Sequence, residues 1–156
     1  MPFTEEDLHL RLSQAKSTLL ETKSTFVLMK GEEVHHSELR GVAPILDFLR
    51  EKPDLLEDAV VADKVIGRAA ALLLIHGKIA ALHAFCISDH ALDVLTSSGI
   101  VLEYDEVVPY IVNRDGTDMC PMEKSVIGID DPSEAVVAVT RRQAELRAAA
   151  QAATDK

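Results

Sequence analysis

Leu8, Leu12, Ala15 and Leu19 recur at helical spacing behind Thr4, so the chain opens with an amphipathic helix. Thr4 is the expected N-cap, and the acids Glu5, Glu6 and Asp7 suit the positive end of the helix dipole. Two short extended runs follow, Thr25 to Lys30 and Val34 to Leu39, on either side of Gly31-Glu32-Glu33. That arrangement predicts a β-hairpin. Gly41 breaks it, and Pro44 opens a short helix to about Arg50, which Pro53 bounds.

The middle of the chain alternates in type. Ala59 to Ala62 reads as a short strand, followed by a helix from an Asp63 cap to His76, closed by Gly77. This helix is apolar nearly all round, which predicts burial. Ile79 to Ile87 is a long apolar strand, Ser88 caps a helix of Ala91, Leu92, Val94 and Leu95, and Ile100 to Tyr104 is the next strand. Strand–helix–strand–helix–strand implies parallel pairing. A loop then runs from Val107 to Asp118, with a short strand at Tyr110 to Val112 and a turn at Asn113-Arg114-Asp115-Gly116. Pro121 starts a helix to about Ile127. Asp131-Pro132-Ser133-Glu134 starts the last helix, with Val136 and Val139 inward and its final two turns exposed. The expected organisation is one α/β domain over residues 1–130, with a partly exposed helix over 131–156.

Composition narrows the class. A chain of 156 residues, 47% hydrophobic but without Trp, builds an aliphatic core of single-domain size. Two cysteines are too few for a disulfide framework and fit a reducing cytosol; the acidic N-terminus does not resemble an export signal. Ala69 to Ile75 is the longest apolar run, far short of the ~20 residues that a membrane span needs. A net charge of −10 repels a phosphate backbone, and Arg141, Arg142 and Arg147 read as a solvated helix face. Neither nucleic acid nor membrane is expected as a partner.

In sheets with parallel strands, ligands bind beyond the carboxyl ends of the strands, where helix N-termini point. On this reading the strand ends deliver Asp63 and Lys64, then Ser88, Asp89 and His90, then Asp105, Glu106 and the polar loop to Glu123. Taken singly, Asp63 and Ser88 are ordinary caps and Asp115-Gly116 an ordinary turn; their convergence on one edge makes the candidate site. The segment Asn113 to Lys124 is its least bland part, placing Cys120 just before a helix. The helix dipole favours a thiolate at Cys120 and Glu123 opposes it; alternatively the thiol is buried among Met119 and Met122. The histidines, at 9, 35, 36, 76, 83 and 90, show no ligand spacing, so no metal is expected, and His35-His36 reads as an exposed edge.

The run Val61 to Ala71 and the segment Asn113 to Lys124, above all Cys120-Pro121-Met122-Glu123, resemble a small, mostly prokaryotic family of uncharacterised proteins in the cytidine-deaminase-like superfamily. The resemblance covers roughly Leu8 to Gly128. It implies a three-layer α-β-α fold, with a mixed sheet opened by an antiparallel hairpin and continued by parallel strands. It does not imply deaminase chemistry. Zinc deaminases carry His-x-Glu at one helix start and Pro-Cys-x-x-Cys at the next. Here Asp63-Lys64-Val65 and Ser88-Asp89-His90 stand at those starts, without the shuttling Glu or the cysteine pair.

Three readings of function remain open. In an enzyme without zinc, Asp63, Lys64, Cys120 and Glu123 would be catalytic, as base or acceptor, charge stabiliser, nucleophile or donor, and acid/base partner. In a non-catalytic sensing domain the same residues, with Ser88, Asn113, Arg114 and Asp118, would hold a small polar ligand, nucleotide-like in one version. In an assembly subunit, for instance a homo-oligomer, the edge would be structural only. No cofactor is expected in any of them.

Overall fold

The computed structural model describes residues 3–113 and 115–154. Thr4 caps the first helix, α1 (Glu5–Thr22), through a reciprocal pair: the Asp7 amide donates to the Thr4 hydroxyl at 3.1 Å, and the Thr4 amide donates to the Asp7 carboxylate at 3.2 Å. The expected stripe of Leu8, Leu12, Ala15 and Leu19 is the buried one. The hairpin is β1 (Phe26–Lys30) and β2 (Glu33–Ser37), turned by Gly31 at φ 58°, which a side chain would strain. After α2 (Ala43–Glu51) and a short 3₁₀ turn come β3 (Val60–Ile66), α3 (Arg68–Gly77), β4 (Ala81–Ser88), α4 (Asp89–Leu95) and β5 (Val101–Val108). The chain ends with α5 (Pro121–Ser125) and α6 (Pro132–Thr154).

The sheet order is β2-β1-β3-β4-β5. β1 pairs antiparallel with both β2 and β3, whereas β3–β4 and β4–β5 are parallel. This is the expected mixed sheet. Its faces bury separate clusters. The face bearing Val27, Met29, Val60, Ala62 and Ala81 packs on α1, and the face bearing Leu28, Val61, Leu82 and Ile87 packs on α2, α3, α4 and α6. Helices on both faces make three layers. α3 is buried from Ala69 to Leu74 because α2, α4, α5 and α6 all touch it, which is why its sequence lacks a polar face. In α6 the buried side chains are Ala135, Val139 and Gln143; Val136 is half-buried, and beyond Gln143 only Leu146 is not fully exposed. No helix among the described residues is long and apolar enough to cross a membrane.

Several boundaries differ from those the sequence suggests. Asp63 does not cap α3. The strand continues through Val65 and Ile66, β-branched residues that fit a pleated surface, and Gly67 is the N-cap. Gly77 ends α3 but does not supply its left-handed cap, which is Lys78 at φ 63°; at Gly77, a Cβ would meet the Leu56 side chain at 2.9 Å. β5 is longer than expected, running to Val108. Tyr110 to Val112 forms no strand, only a bridge from Val112 to Met119.

Candidate functional site

β3 and β4 each run directly into a helix at their carboxyl ends, and the chain leaves β5 as a loop that returns across that edge to α5. The loop is held by its own bonds. The Asn113 amide donates to the Asp118 carbonyl at 2.8 Å, the Thr117 amide donates to the Asn113 side-chain oxygen at 3.0 Å, and the Cys120 amide donates to the Ile111 carbonyl at 2.8 Å. This bracing presents Pro121 as the first residue of α5 and places Glu123, only 6% exposed, against the start of α3.

There the Glu123 carboxylate accepts from the Arg68 amide at 2.6 Å and the Ala69 amide at 2.8 Å. The first two unpaired amides of α3 are thus capped by a side chain from a distant segment, a task usually given to the residue just before a helix. Burial pushes the Glu123 carboxyl above its usual range, against the pull of these two amides and of the His90 and Arg68 charges. Arg68 extends past the carboxylate. Its Nη2 donates to the Ile129 carbonyl at 2.7 Å and to Asp130, while its Nε is buried with no hydrogen-bond partner among the described residues. Arg68, His90, Met119, Glu123, Ile127 and Gly128 line a cleft of about 260 Å³. A larger and more open groove lies between β2 and α2, away from this edge, and contains His35, His36 and Phe48. The cleft is the better candidate, because it joins a guanidinium, an imidazole and a buried carboxylate to apolar walls.

Of the residues expected at the site, Glu123 lines this cleft. Asp63 sits within β3, level with Phe26 and Ala84, 5% exposed. One of its oxygens accepts from the Val65 amide at 3.3 Å, and the other is buried without a partner among the described residues. Burial holds its carboxyl well above the ordinary value, against the lowering effect of the Val65 and Lys64 amides. Lys64 is exposed. Ser88 is fully buried as the cap of α4, accepting from the Ala91 amide at 3.1 Å. Asn113 is engaged inside its loop, and Asp118 accepts from the Met119 amide and from Lys124. Cys120 is half-buried at the start of α5. Arg114 lies outside the described residues. Among the described residues, no three His, Cys, Asp or Glu side chains are placed to hold a metal ion.

The sequence reading missed Arg68, Ile127 and Gly128 as site residues; it brought His90 to this edge with Ser88 and Asp89 but gave it no role, and it held Met119, within the segment Asn113 to Lys124, only as packing for Cys120. A usable signal was present in Val65-Ile66-Gly67. Two β-branched residues before a glycine extend the strand and move the helix start, and with it the site, to Arg68.

A five-stranded mixed sheet with an N-terminal antiparallel hairpin, parallel strands after it, and helices on both faces defines an α/β domain of the three-layer kind. The chain belongs to the TM1506 family, described as a domain of unknown function (DUF1893), whose model matches residues 14–142. It is similar to the crystal structure of the DUF1893 family protein TM1506 from Thermotoga maritima, with 31% identity and a TM-score of 0.79 over 90% of this chain and 92% of that one. No curated protein matches the chain.

Proposed function

We propose that this chain is a small-molecule-binding domain whose ligand enters the cleft at the carboxyl edge of the sheet. The observation that carries the reading is Arg68. Arg68 lines the cleft together with His90 and Glu123, and its Nε, buried without a partner among the described residues, leaves a donor to be satisfied. Met119 and Ile127 offer apolar walls to the rest of the molecule. A volume of about 260 Å³ lies just under the usual range for ligand pockets, which suits a polar metabolite of nucleoside size or smaller.

Binding without turnover is the favoured version. Both Glu123 oxygens are committed to backbone amides, and neither Asp63 nor Cys120 lines the cleft, so among the described residues no nucleophile–base pair faces a ligand there. The deaminase-like lineage, without deamination, is part of the same proposal. It is supported by the order of elements and by a first parallel helix that starts Gly67-Arg68-Ala69, where a zinc ligand and a shuttling Glu would be needed. Two unpaired cysteines favour a reducing cytosol as its setting.

The test is native mass spectrometry of the purified protein, followed by ligand-observed NMR against a panel of small polar metabolites. Binding that is abolished by Arg68→Ala and by Ile127→Trp, which narrows the cleft, supports the proposal. A ligand whose affinity neither change affects would overturn it.

A further inference from the structure

On the opposite face of the sheet, α1 and β5 are joined by a line of alternating carboxylates and imidazoles. His83, in the middle of β4 and 2% exposed, points its Nδ1 at Glu103 Oε1, 3.1 Å away, and its Nε2 at Asp105 Oδ2, 3.4 Å away. The other oxygen of Glu103 meets His9 Nδ1 from α1, and His9 Nε2 lies 3.7 Å from Glu5 Oε1. The order in space is Glu5, His9, Glu103, His83, Asp105. Each ring stands between two carboxylates. A neutral imidazole has one N–H and can donate to only one of its two neighbours, leaving a lone pair against the other carboxylate. A charged ring donates to both, and the bonds become charge-assisted. A proton on the His9 ring also offsets one of the three carboxylate charges in the line.

We propose that these five groups form a proton-operated clasp between α1 and the edge strand β5, closed when the His9 imidazole is charged and loosened when it is neutral. The two elements share few other fastenings, since α1 packs mainly on β1, β3 and β4. A further charge stands near the clasp. From α1 there is Lys16, whose ammonium lies 5.8 Å from the centre of the Phe85 ring, and that ring meets His83 edge-on at 5.1 Å.

The directions of titration agree with this geometry. The hydrogen bond to Glu103 raises His9 above its ordinary value, burial opposes the rise, and Glu5 adds to it. Burial pushes Glu103 up, but the bonds to His9 and His83 outweigh it and hold the carboxyl below its ordinary value. The His9 contribution to stability is therefore full below its unfolded value and is lost as pH rises through its folded one. The Glu103 contribution is present above its unfolded value and is lost as pH falls through its folded one. The clasp is tightest in mildly acidic solution.

The experiment follows the His9 ring by long-range ¹H–¹⁵N NMR, and amide exchange in α1 and β5, in wild type, His9→Gln and Glu103→Gln at about pH 6 and about pH 8.5. His9 should titrate lower in Glu103→Gln than in wild type. The first turns of α1 should exchange several-fold more slowly in wild type than in His9→Gln at the lower pH, with the difference gone at the higher one. An unchanged His9 midpoint in Glu103→Gln would overturn the clasp. So would a protection difference that ignores pH, read on His9→Gln, whose half-exposed position tolerates the change even if the Glu103 variant does not fold.

Discussion

The Glu123 carboxylate occupies the space that a side chain on Gly67 would need: a Cβ built on Gly67 would lie 2.0 Å from Glu123 Oε1. The backbone of Gly67 is extended, so closeness and not backbone conformation excludes other residues there. Gly67→Ala should destabilise the protein by about 1–3 kcal/mol, the range for overpacking. Glu123→Ala should cost a similar amount by leaving the Arg68 and Ala69 amides without their acceptor. The double variant should lose clearly less than the sum, because removing the carboxylate makes room for the methyl. Urea denaturation of all four proteins checks this, and strict additivity would mean that the two residues do not meet.

Leu73 is fully buried at the middle of α3, among side chains from both the sheet and α6. Leu73→Ala should cost about 2–5 kcal/mol, the range for truncating a core leucine. An unchanged denaturation midpoint would place α3 at the periphery.

Asp63 carries a pH signature of its own. Burial raises its carboxyl in the folded state, so its contribution favours folding at pH below the unfolded value and is lost as pH rises through the folded one. Asp63→Asn keeps an acceptor for the Val65 amide and cannot ionise. It should raise the melting temperature at about pH 8 and give a smaller gain at about pH 4. A lower melting temperature at both pH values would show that the charge is compensated by a partner.

The two thiols should differ in reactivity. Burial, and then the Glu106 charge, push the Cys86 thiol up, so little thiolate forms at neutral pH. Iodoacetamide should label Cys120 faster than Cys86 in the folded protein, and Glu106→Gln should speed labelling of Cys86. Peptide mapping after timed alkylation reads both rates; equal rates for the two thiols would refute the difference.

Much of the architecture was legible because its signals are local. The stripe Leu8, Leu12, Ala15, Leu19 and the Thr4 cap fix α1. Gly31 between two extended runs fixes the hairpin, and the wholly apolar stretch 69–75 announces a helix buried on every side. The candidate site was less legible, since its parts are defined by contacts across the chain. Asp63 looks like a cap in sequence, and the pairing of β3 with β1 and β4 shows that the strand passes through it. Glu123 was picked out as a site residue, but its bond to amides fifty-five and fifty-four positions earlier has no counterpart in any local pattern. Arg68 was missed for the same reason: its importance depends on where α3 begins.

β5 ends the sheet with eight residues whose outer backbone edge has no neighbouring strand among the described residues, and its Tyr104 and Val107 side chains are exposed. An open strand of that length is a template for copies of itself. Glu103, Asp105 and Glu106 interrupt its apolar positions, so two such strands laid side by side would bring like charges together. These carboxylates would oppose pairing between two such edges, and acidifying a concentrated solution far enough to neutralise them should remove that repulsion and favour one molecule's sheet continuing into the next.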